Sequence, residues 1–229
     1  SGKSAKDLTL CRADFADAYG IDLRLNTKAV AIDQSHKTVT TNHGDVLRFD
    51  KLILATGSYA FVPPISGNDR ENCFVYRTIE DLDAIRAASL NAKSGVVIGG
   101  GLLGLEAAKA LRDLNLETHV VEFAPRLMAV QIDDLGGKVL RAKIENLGVK
   151  VHTQKATSSI EEGATTKHVM KFGDGSELET DIILFSAGIR PRDELARQSG
   201  LALGERGGIM INDYCQTSNP DIYAIGECA

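Results

Sequence analysis

The sequence predicts an α/β protein that combines a parallel sheet, flanked by helices, with a small antiparallel meander. Strand-like and helix-like segments alternate from residue 94 to residue 153, which is typical of parallel strands with right-handed crossovers. Short β-rich runs separated by turn residues occupy residues 21–49, which indicates a meander. The chain has 229 residues, 43% of them hydrophobic, so it can bury a substantial core.

The N-terminal part predicts a helix, the meander and a buried strand. Residues 4–19 carry apolar side chains at helical spacing, and Gly20 ends that helix. The runs IDLRL, KAVAID, KTVTT and VLRF predict the strands of the meander. The continuous apolar run in DKLILATGS predicts a strand that is buried on both faces. The Pro- and Gly-rich FVPPISGND (61–69) predicts a linker, so we place a domain boundary at its end.

The rest of the chain predicts alternating elements and then a hairpin. A helix is predicted at TIEDLDAIRAAS, where Thr78 and Asp81 can form a capping box. Three strands and two helices then alternate up to residue 153. The later elements are a hairpin at KHVMKFGDGSELE, a buried strand at DIILFSAG and two short strands after residue 207.

Composition argues against several function classes. The net charge of -5 is mild, so we expect no nucleic-acid partner and no attraction to an anionic membrane. No apolar run approaches the ~20 residues of a membrane helix. The four cysteines form no CxxC pair and the five histidines no HxxxH or HxH pair, so we expect neither a redox dithiol in this stretch nor a metal site.

The stretch VVIGGGLLGLEAAKALRDL carries the strongest functional signal. Gly99, Gly101 and Gly104 form G-x-G-x-x-G directly between a predicted strand and a predicted helix. In that setting the first glycine allows a sharp turn, the second lets a pyrophosphate approach the backbone, and the third lets the helix pack against the strand. The first residues of the helix, Leu102 and Leu103, lie at its positive end, where free amides bind phosphates. The motif predicts a dinucleotide site.

We predict that Glu122 selects between the two pyridine dinucleotides. It ends the next predicted strand, 23 positions after Gly99, where an acidic residue accepts hydrogen bonds from the adenosine ribose. A carboxylate there repels the additional phosphate of NADP, so we predict a preference for NAD(H). Arg126 lies close enough in sequence to pair with a phosphate and opposes this preference.

Two more predicted strands end in a glycine, in LILATGS and IYAIGECA. The pattern of each is equally consistent with a strand that ends in a tight turn and has no binding function. Together with the glycine motif, these stretches resemble the two-dinucleotide-fold reductases that use FAD and pyridine nucleotides. LILATGS resembles the ATG strand of that family, SAGIRP its glycine-containing return strand, and PDIYAIGECA its C-terminal FAD motif. The resemblance implies FAD contacts by Thr56, Gly57, Gly226 and Glu227, and a contact of Gly188 with NAD. The family usually has Asp where this chain has Glu227.

The resemblance also implies a division of the chain. Residues 1–69 and 185–229 would be two segments of a partial, truncated FAD-binding domain, and residues 70–184 a Rossmann-like NAD-binding domain inserted between them. Glu106, expected in the first turn of the glycine-loop helix, would lie near the nicotinamide. Transfer of hydride between bound cofactors requires no nucleophile or general base, so we name no catalytic residue.

Longer stretches, such as VEFAPRLMAVQIDDLGGKVLRAKIENLGVKVHT, are similar to the nitrite-reducing branch of this family. That branch implies a cytoplasmic module of nitrate assimilation that passes hydride from NADH to FAD. Electrons would then reach the sirohaem and iron–sulfur domains of a larger polypeptide, whose ligand motifs this chain lacks. Because the first glycine motif of the family's FAD domain is missing, we expect FAD binding to be weak or absent. An NADH:ferredoxin or rubredoxin reductase, a disulfide reductase and a nucleotide-binding fragment without turnover remain open alternatives.

Overall fold

The computed structural model describes residues 5–229, which divide into two compact units. The larger unit is Tyr59–Ile189, and the smaller combines residues 5–58 with Arg190–Ala229. Strands β5 (Ser58–Ala60) and β14 (Ile189–Pro191) form a two-stranded sheet where the chain passes from one unit to the other. None of the helices in the described residues is long and apolar enough to cross a membrane.

The Pro-rich segment that we predict to be a linker belongs to the larger unit. Val62 and Ile65 pack against one of its apolar core clusters. The Ile160 amide also donates to the Ser66 carbonyl at 2.8 Å. The chain therefore passes from one unit to the other after Ser58 and again after Ile189. The sequence analysis places these boundaries after residues 69 and 184.

A five-stranded parallel sheet forms the centre of the larger unit, with the strand order β6-β13-β7-β8-β9. This sheet confirms the predicted strand–helix alternation. Its strands are β6 (Cys73–Val75), β7 (Ser94–Ile98), β8 (Glu117–Val121), β9 (Val149–His152) and β13 (Ile182–Phe185). The helices of the unit are α2 (Ile79–Ser89), α3 (Leu102–Asp113) and α4 (Asp134–Asn146).

Burial explains why these segments form strands and helices. Every residue of β7 and β13 is buried, as expected for central strands covered on both faces. Helix α2 begins with the predicted capping box, in which Thr78 and Asp81 each bond the backbone amide of the other. Asp133 caps the N-terminus of α4, where its carboxylate accepts the Gly136 amide at 2.8 Å.

A separate antiparallel sheet follows β9 in the larger unit. It contains β10 (Thr157–Glu162), β11 (His168–Phe172) and β12 (Glu177–Thr180) in that order. The predicted hairpin is confirmed by the pairing of β11 with β12, with Gly175 at φ +81° in its turn. The sequence analysis misses β10 because Ile160 is its only buried residue, so its apolar pattern is weak.

Two stacked histidines lie on neighbouring strands of the larger unit. His119 on β8 is buried, and its Nδ1 lies 3.0 Å from Nε2 of the half-buried His152 on β9. Burial lowers the pKa of both imidazoles, and the charge of His119 lowers the pKa of His152 further. The unfolded chain therefore binds protons below about pH 6.5 that the folded chain resists. We expect the contribution of these two histidines to the free energy of unfolding to level off well above that pH and to fall below it, by up to about 1.4 kcal/mol per pH unit for each histidine.

Urea unfolding at about pH 8 and about pH 5.5, for the wild type and His119→Gln, measures this effect. The variant should lose less stability than the wild type between the two conditions. The matched control is His36→Gln, because His36 is exposed and lies in the smaller unit. Equal losses in the wild type and His119→Gln would contradict the assignment.

The smaller unit confirms the predicted meander, β1-β2-β3, with antiparallel pairing throughout. A parallel pair, β4 with β15, and helix α5 lie in the same unit, and Leu54, Ala196 and Ile222 share its core. The bounds are β1 (Ala29–Asp33), β2 (Thr38–Thr41), β3 (Val46–Arg48), β4 (Leu52–Leu54), α5 (Glu194–Ser199), β15 (Ile222–Ala224) and a 3-10 turn at Gly226–Cys228.

The predicted helix at residues 4–19 is wrong for the described residues, and residue 4 lies outside them. A 3-10 turn (Ala5–Leu8) and a single turn, α1 (Phe15–Ala18), replace it. The apolar stripe has no core to pack against, since α1 has no buried residue, and a short helix without packing is marginal in water.

Three strand predictions in the smaller unit are also wrong. Residues 21–25 form no strand. Residues 209–211 form only an isolated bridge between Leu203 and Ile209. Strand β4 is not buried on both faces, because Ile53 is 61% exposed in a sheet of only two strands.

Candidate nucleotide-binding site

The turn between β7 and α3 presents an uncapped helix start. Gly101 is the N-cap residue of α3, and no side chain in the described part of the molecule bonds the first amides from this position. Those amides have no partners within the helix, and they lie at its positive end. The start of α3 is therefore equipped to bind an anion.

The three glycines of the motif differ in what a side chain at each position would contact. A Cβ on Gly99, which has φ +121°, would overlap the Ser186 carbonyl. A Cβ on Gly104 would overlap the Gly99 carbonyl. A Cβ on Gly101 would meet no atom within 4 Å. Packing within the protein thus requires the first and last glycine, whereas Gly101 leaves open space in front of α3.

This open space belongs to a cleft of about 600 Å³ at the carboxyl ends of β7, β8 and β13. Ligands of open parallel sheets bind at this edge. A recess of about 180 Å³ also contacts Gly101 and Gly188 and extends to Leu102, Leu103 and Tyr76. The cleft is lined by Phe61, Pro63, Ile65, Ile98, Gly99, Gly101, Val121, Glu122, Phe123, Lys155, Ala156, Thr157, Ser186, Ala187 and Gly188.

Glu122 lies half-buried in the wall of the cleft and also holds the glycine turn. Its Oε2 accepts the Gly100 amide at 2.6 Å, and its Oε1 accepts the Ala124 amide at 2.7 Å. Each carboxylate oxygen can accept a second hydrogen bond, so the side chain remains able to bind ribose hydroxyls. The sequence motif indicates the ribose role but not the contact with the turn.

The smaller unit contains a second candidate site, at the ends of β4 and β15. These parallel strands pair Leu54 with Ala224 and lead into Gly57 and Gly226, which have φ +67° and +77°. A Cβ on either glycine would meet no atom within 4 Å. The site combines two glycine turns at one sheet edge with a carboxylate, that of Glu227.

Side chains of the same unit hold this second edge in place. The Ser58 hydroxyl donates to Glu227 Oε2 at 2.6 Å. The Thr56 hydroxyl donates to the Arg192 carbonyl at 2.6 Å. The four predicted FAD residues, at positions 56, 57, 226 and 227, thus surround one edge of one short parallel sheet.

Comparison with known proteins identifies the family. The sequence model of the pyridine nucleotide-disulphide oxidoreductases matches residues 4–229. The chain belongs to this family. All four cysteines, Cys11, Cys73, Cys215 and Cys228, are free.

Individual members of the family match over the whole chain. The chain is 56% identical over 230 residues to the nitrite reductase (NADH) large subunit of Escherichia coli (strain K12). The match covers 100% of this chain and 27% of that protein. The chain thus spans about a quarter of the length of this curated relative.

Solved structures of the family confirm the Rossmann-like α/β fold. A ferredoxin reductase for the CYP199A2 system from Rhodopseudomonas palustris superposes with a TM-score of 0.92 at 28% identity, over 100% of this chain and 56% of that one. The water-forming NADH oxidase from Lactobacillus brevis, bound to NADH, superposes with a TM-score of 0.86 at 28% identity. That match covers 93% of this chain and 48% of the oxidase.

Three residues that we predict to bind the nucleotide line neither the cleft nor the recess, namely Gly104, which is buried in α3, Glu106 and Arg126. Arg126 donates to the Ile132 carbonyl at 3.0 Å and to Asp134 at 2.7 Å, so its guanidinium is held by its own loop. Glu106 is exposed in the second turn of α3, and not in the first as predicted, because the helix begins only at Leu102. Their roles in binding stay predictions.

The sequence analysis misses the residues of the cleft that follow β9. Lys155, Ala156 and Thr157 line the cleft, and the Lys155 amide donates to the Glu122 carbonyl at 3.0 Å. The Thr157 hydroxyl is buried without a hydrogen-bond partner in the described part of the protein. Their position directly after the third strand of the βαβαβ unit could have indicated them, since this is the ligand-binding edge.

Proposed function

We propose that this chain is the NADH- and FAD-binding module of an NADH-dependent nitrite reductase. The observation that carries the proposal is the open space at Gly101, in front of an uncapped helix and beside the fixed carboxylate of Glu122. A dinucleotide has the two groups that this arrangement fits, a pyrophosphate and a ribose with free hydroxyls. The orphaned hydroxyl of Thr157 gives the cleft a further polar group for a bound ligand.

The residues of the larger unit bind and orient the nucleotide. The first amides of α3 hold the pyrophosphate, and Glu122 accepts the ribose hydroxyls and repels a phosphate at the same place. The recess beside Leu102, Leu103 and Tyr76 offers an apolar surface that excludes water from the nicotinamide end. When NADH and FAD are both bound, the nicotinamide supplies a hydride and the flavin accepts it.

The assignment to nitrite reduction rests on sequence similarity to the Escherichia coli relative, which is 56% identical. The proposal also includes a larger polypeptide in the cytoplasm. Its other domains would carry the sirohaem and iron–sulfur groups. The alternative is a ferredoxin- or rubredoxin-type reductase, which the match to a ferredoxin reductase at a TM-score of 0.92 favours. A nucleotide-binding fragment without turnover is the third candidate.

Measuring NADH oxidation with ferricyanide, with and without added FAD, separates these functions. A reductase module should oxidise NADH when FAD is added, whereas a fragment without turnover should bind NADH in calorimetry and leave it unoxidised. In the full-length protein, assays of nitrite reduction and of ferredoxin reduction then distinguish the two electron acceptors. Absence of NADH binding in calorimetry would refute the proposed function.

We expect the isolated chain to hold FAD weakly or not at all. The edge at Gly57 and Gly226 can approach a pyrophosphate, but the chain has only one G-x-G-x-x-G, and the larger unit contains it. The purified chain should therefore lack a flavin absorption band and show one only with FAD in excess. A stoichiometric flavin spectrum after gel filtration would contradict this expectation.

A further inference from the structure

Lys155 lies in the same cleft wall as Glu122. It follows β9, and its backbone amide donates to the Glu122 carbonyl at 3.0 Å. Both residues line the nucleotide cleft. The wall that would face the adenosine half of a nucleotide therefore carries one acidic and one basic side chain.

The turn between β11 and β12 holds the Lys155 ammonium. Its Nζ lies 2.5 Å from Asp174 Oδ2 and 2.7 Å from Ser176 Oγ. It also lies 5.3 Å from the centroid of the Phe172 ring, at cation–π distance. Since an ammonium has three donors, these contacts leave little capacity for a ligand.

Asp174 is fixed and charged in this turn. Its Oδ1 accepts the Ser176 amide at 3.0 Å and the Ser176 hydroxyl at 2.6 Å. Hydrogen bonds from Lys155 and Ser176 hold the pKa of Asp174 well below its usual range. The Lys155–Asp174 pair thus contributes no net charge to the cleft at neutral pH.

We infer that Asp174 is a second determinant of nucleotide selectivity, because it positions and neutralises Lys155. The inference rests on the proposed function. The 2′-phosphate of NADPH carries a charge of about -1.5 to -2 at pH 7, as phosphate monoesters do. A free Lys155 would attract that phosphate and offset its repulsion by Glu122. Asp174 binds and neutralises the Lys155 ammonium, so the net charge of the wall is that of Glu122 alone.

The variant Asp174→Asn tests this role. Asparagine keeps an oxygen that accepts from Ser176, removes the charge, and places an NH2 donor where Asp174 Oδ2 accepts from Lys155, so the ammonium loses its partner. We expect the affinity for NADPH to rise roughly two- to fivefold, the effect of one partly exposed ion pair, with the affinity for NADH unchanged. The gain should disappear at about 1 M salt and in the double variant Lys155→Met/Asp174→Asn. The single variant Lys155→Met should weaken NADPH binding, because it leaves the Asp174 charge unpaired.

Glu161→Gln is the matched control. Glu161 holds Lys171 at 2.7 Å in the same antiparallel sheet, but neither residue lines the cleft. This variant should leave both affinities unchanged. If the wild type binds NADH and Asp174→Asn leaves the ratio of NADPH to NADH affinity unchanged, the inference is overturned and the proposed function stands. If the wild type binds neither nucleotide, both are overturned.

Discussion

Gly101→Val is expected to abolish measurable NADH binding and to leave the fold intact. The valine side chain would enter the open space in front of α3, where a Cβ meets no protein atom within 4 Å. The backbone at this position, with φ -80° and ψ -175°, suits a β-branched residue. Loss of the amide–phosphate hydrogen bonds should raise the dissociation constant at least about 100-fold. Calorimetric titration with NADH, with thermal unfolding in parallel, measures both effects.

Gly99→Val is the matched control in the same turn. Gly99 has φ +121°, and its Cβ would overlap the Ser186 carbonyl, so this variant should unfold the turn and lower the stability of the whole unit. The two variants thus separate a glycine needed by a ligand from one needed by packing. Normal NADH binding by Gly101→Val would show that the pyrophosphate lies elsewhere.

Glu122→Gln is expected to weaken NADH binding and to shift selectivity towards NADPH. The amide group of glutamine offers only one acceptor oxygen, whereas Glu122 accepts both the Gly100 and the Ala124 amides. One of these half-buried donors would lose its partner, at about 1–3 kcal/mol of unfolding free energy. Removing the charge should raise the ratio of NADPH to NADH affinity at least about tenfold. Calorimetric titrations with NADH and NADPH measure the affinity ratio, and urea unfolding measures the loss of unfolding free energy.

Glu117→Gln controls for the loss of an acidic residue on the same strand. Glu117 begins β8, at the opposite end of the strand from Glu122, and its carboxylate pairs with Lys150 and His119. It should change neither the affinity for NADH nor the selectivity. If Glu122→Gln leaves the selectivity unchanged, Glu122 does not contact the ribose.

The residues that we propose for the centre of the site follow from local sequence rules. Gly99 and Gly101 lie between a buried strand and a helix, and Gly104 lies in the first turn of that helix, so no distant residue is needed to bring them together. Glu122 is predictable from the length of one βαβ unit. The regular alternation of apolar strands and helices likewise fixes the parallel sheet.

The remaining residues depend on contacts that no local pattern records. Arg126 is close to the site in sequence, yet Asp134 and two carbonyls hold its guanidinium. Lys155 lines the cleft because the loop after β9 bonds Glu122, which only the packed structure reveals. The apolar spacing of residues 4–19 satisfies a helix rule, but the helix has no core to pack against.

The position of β13 in the sheet affects how the larger unit folds. This strand comes last of the five in sequence, yet it hydrogen-bonds both β6 and β7. A ribosome must therefore synthesise the chain through Phe185 before the sheet can close, and the contacts formed last span about a hundred residues, which slows folding. Until then, β6 and one side of β7 remain open edges, which can pair with other chains and favour aggregation of nascent chains.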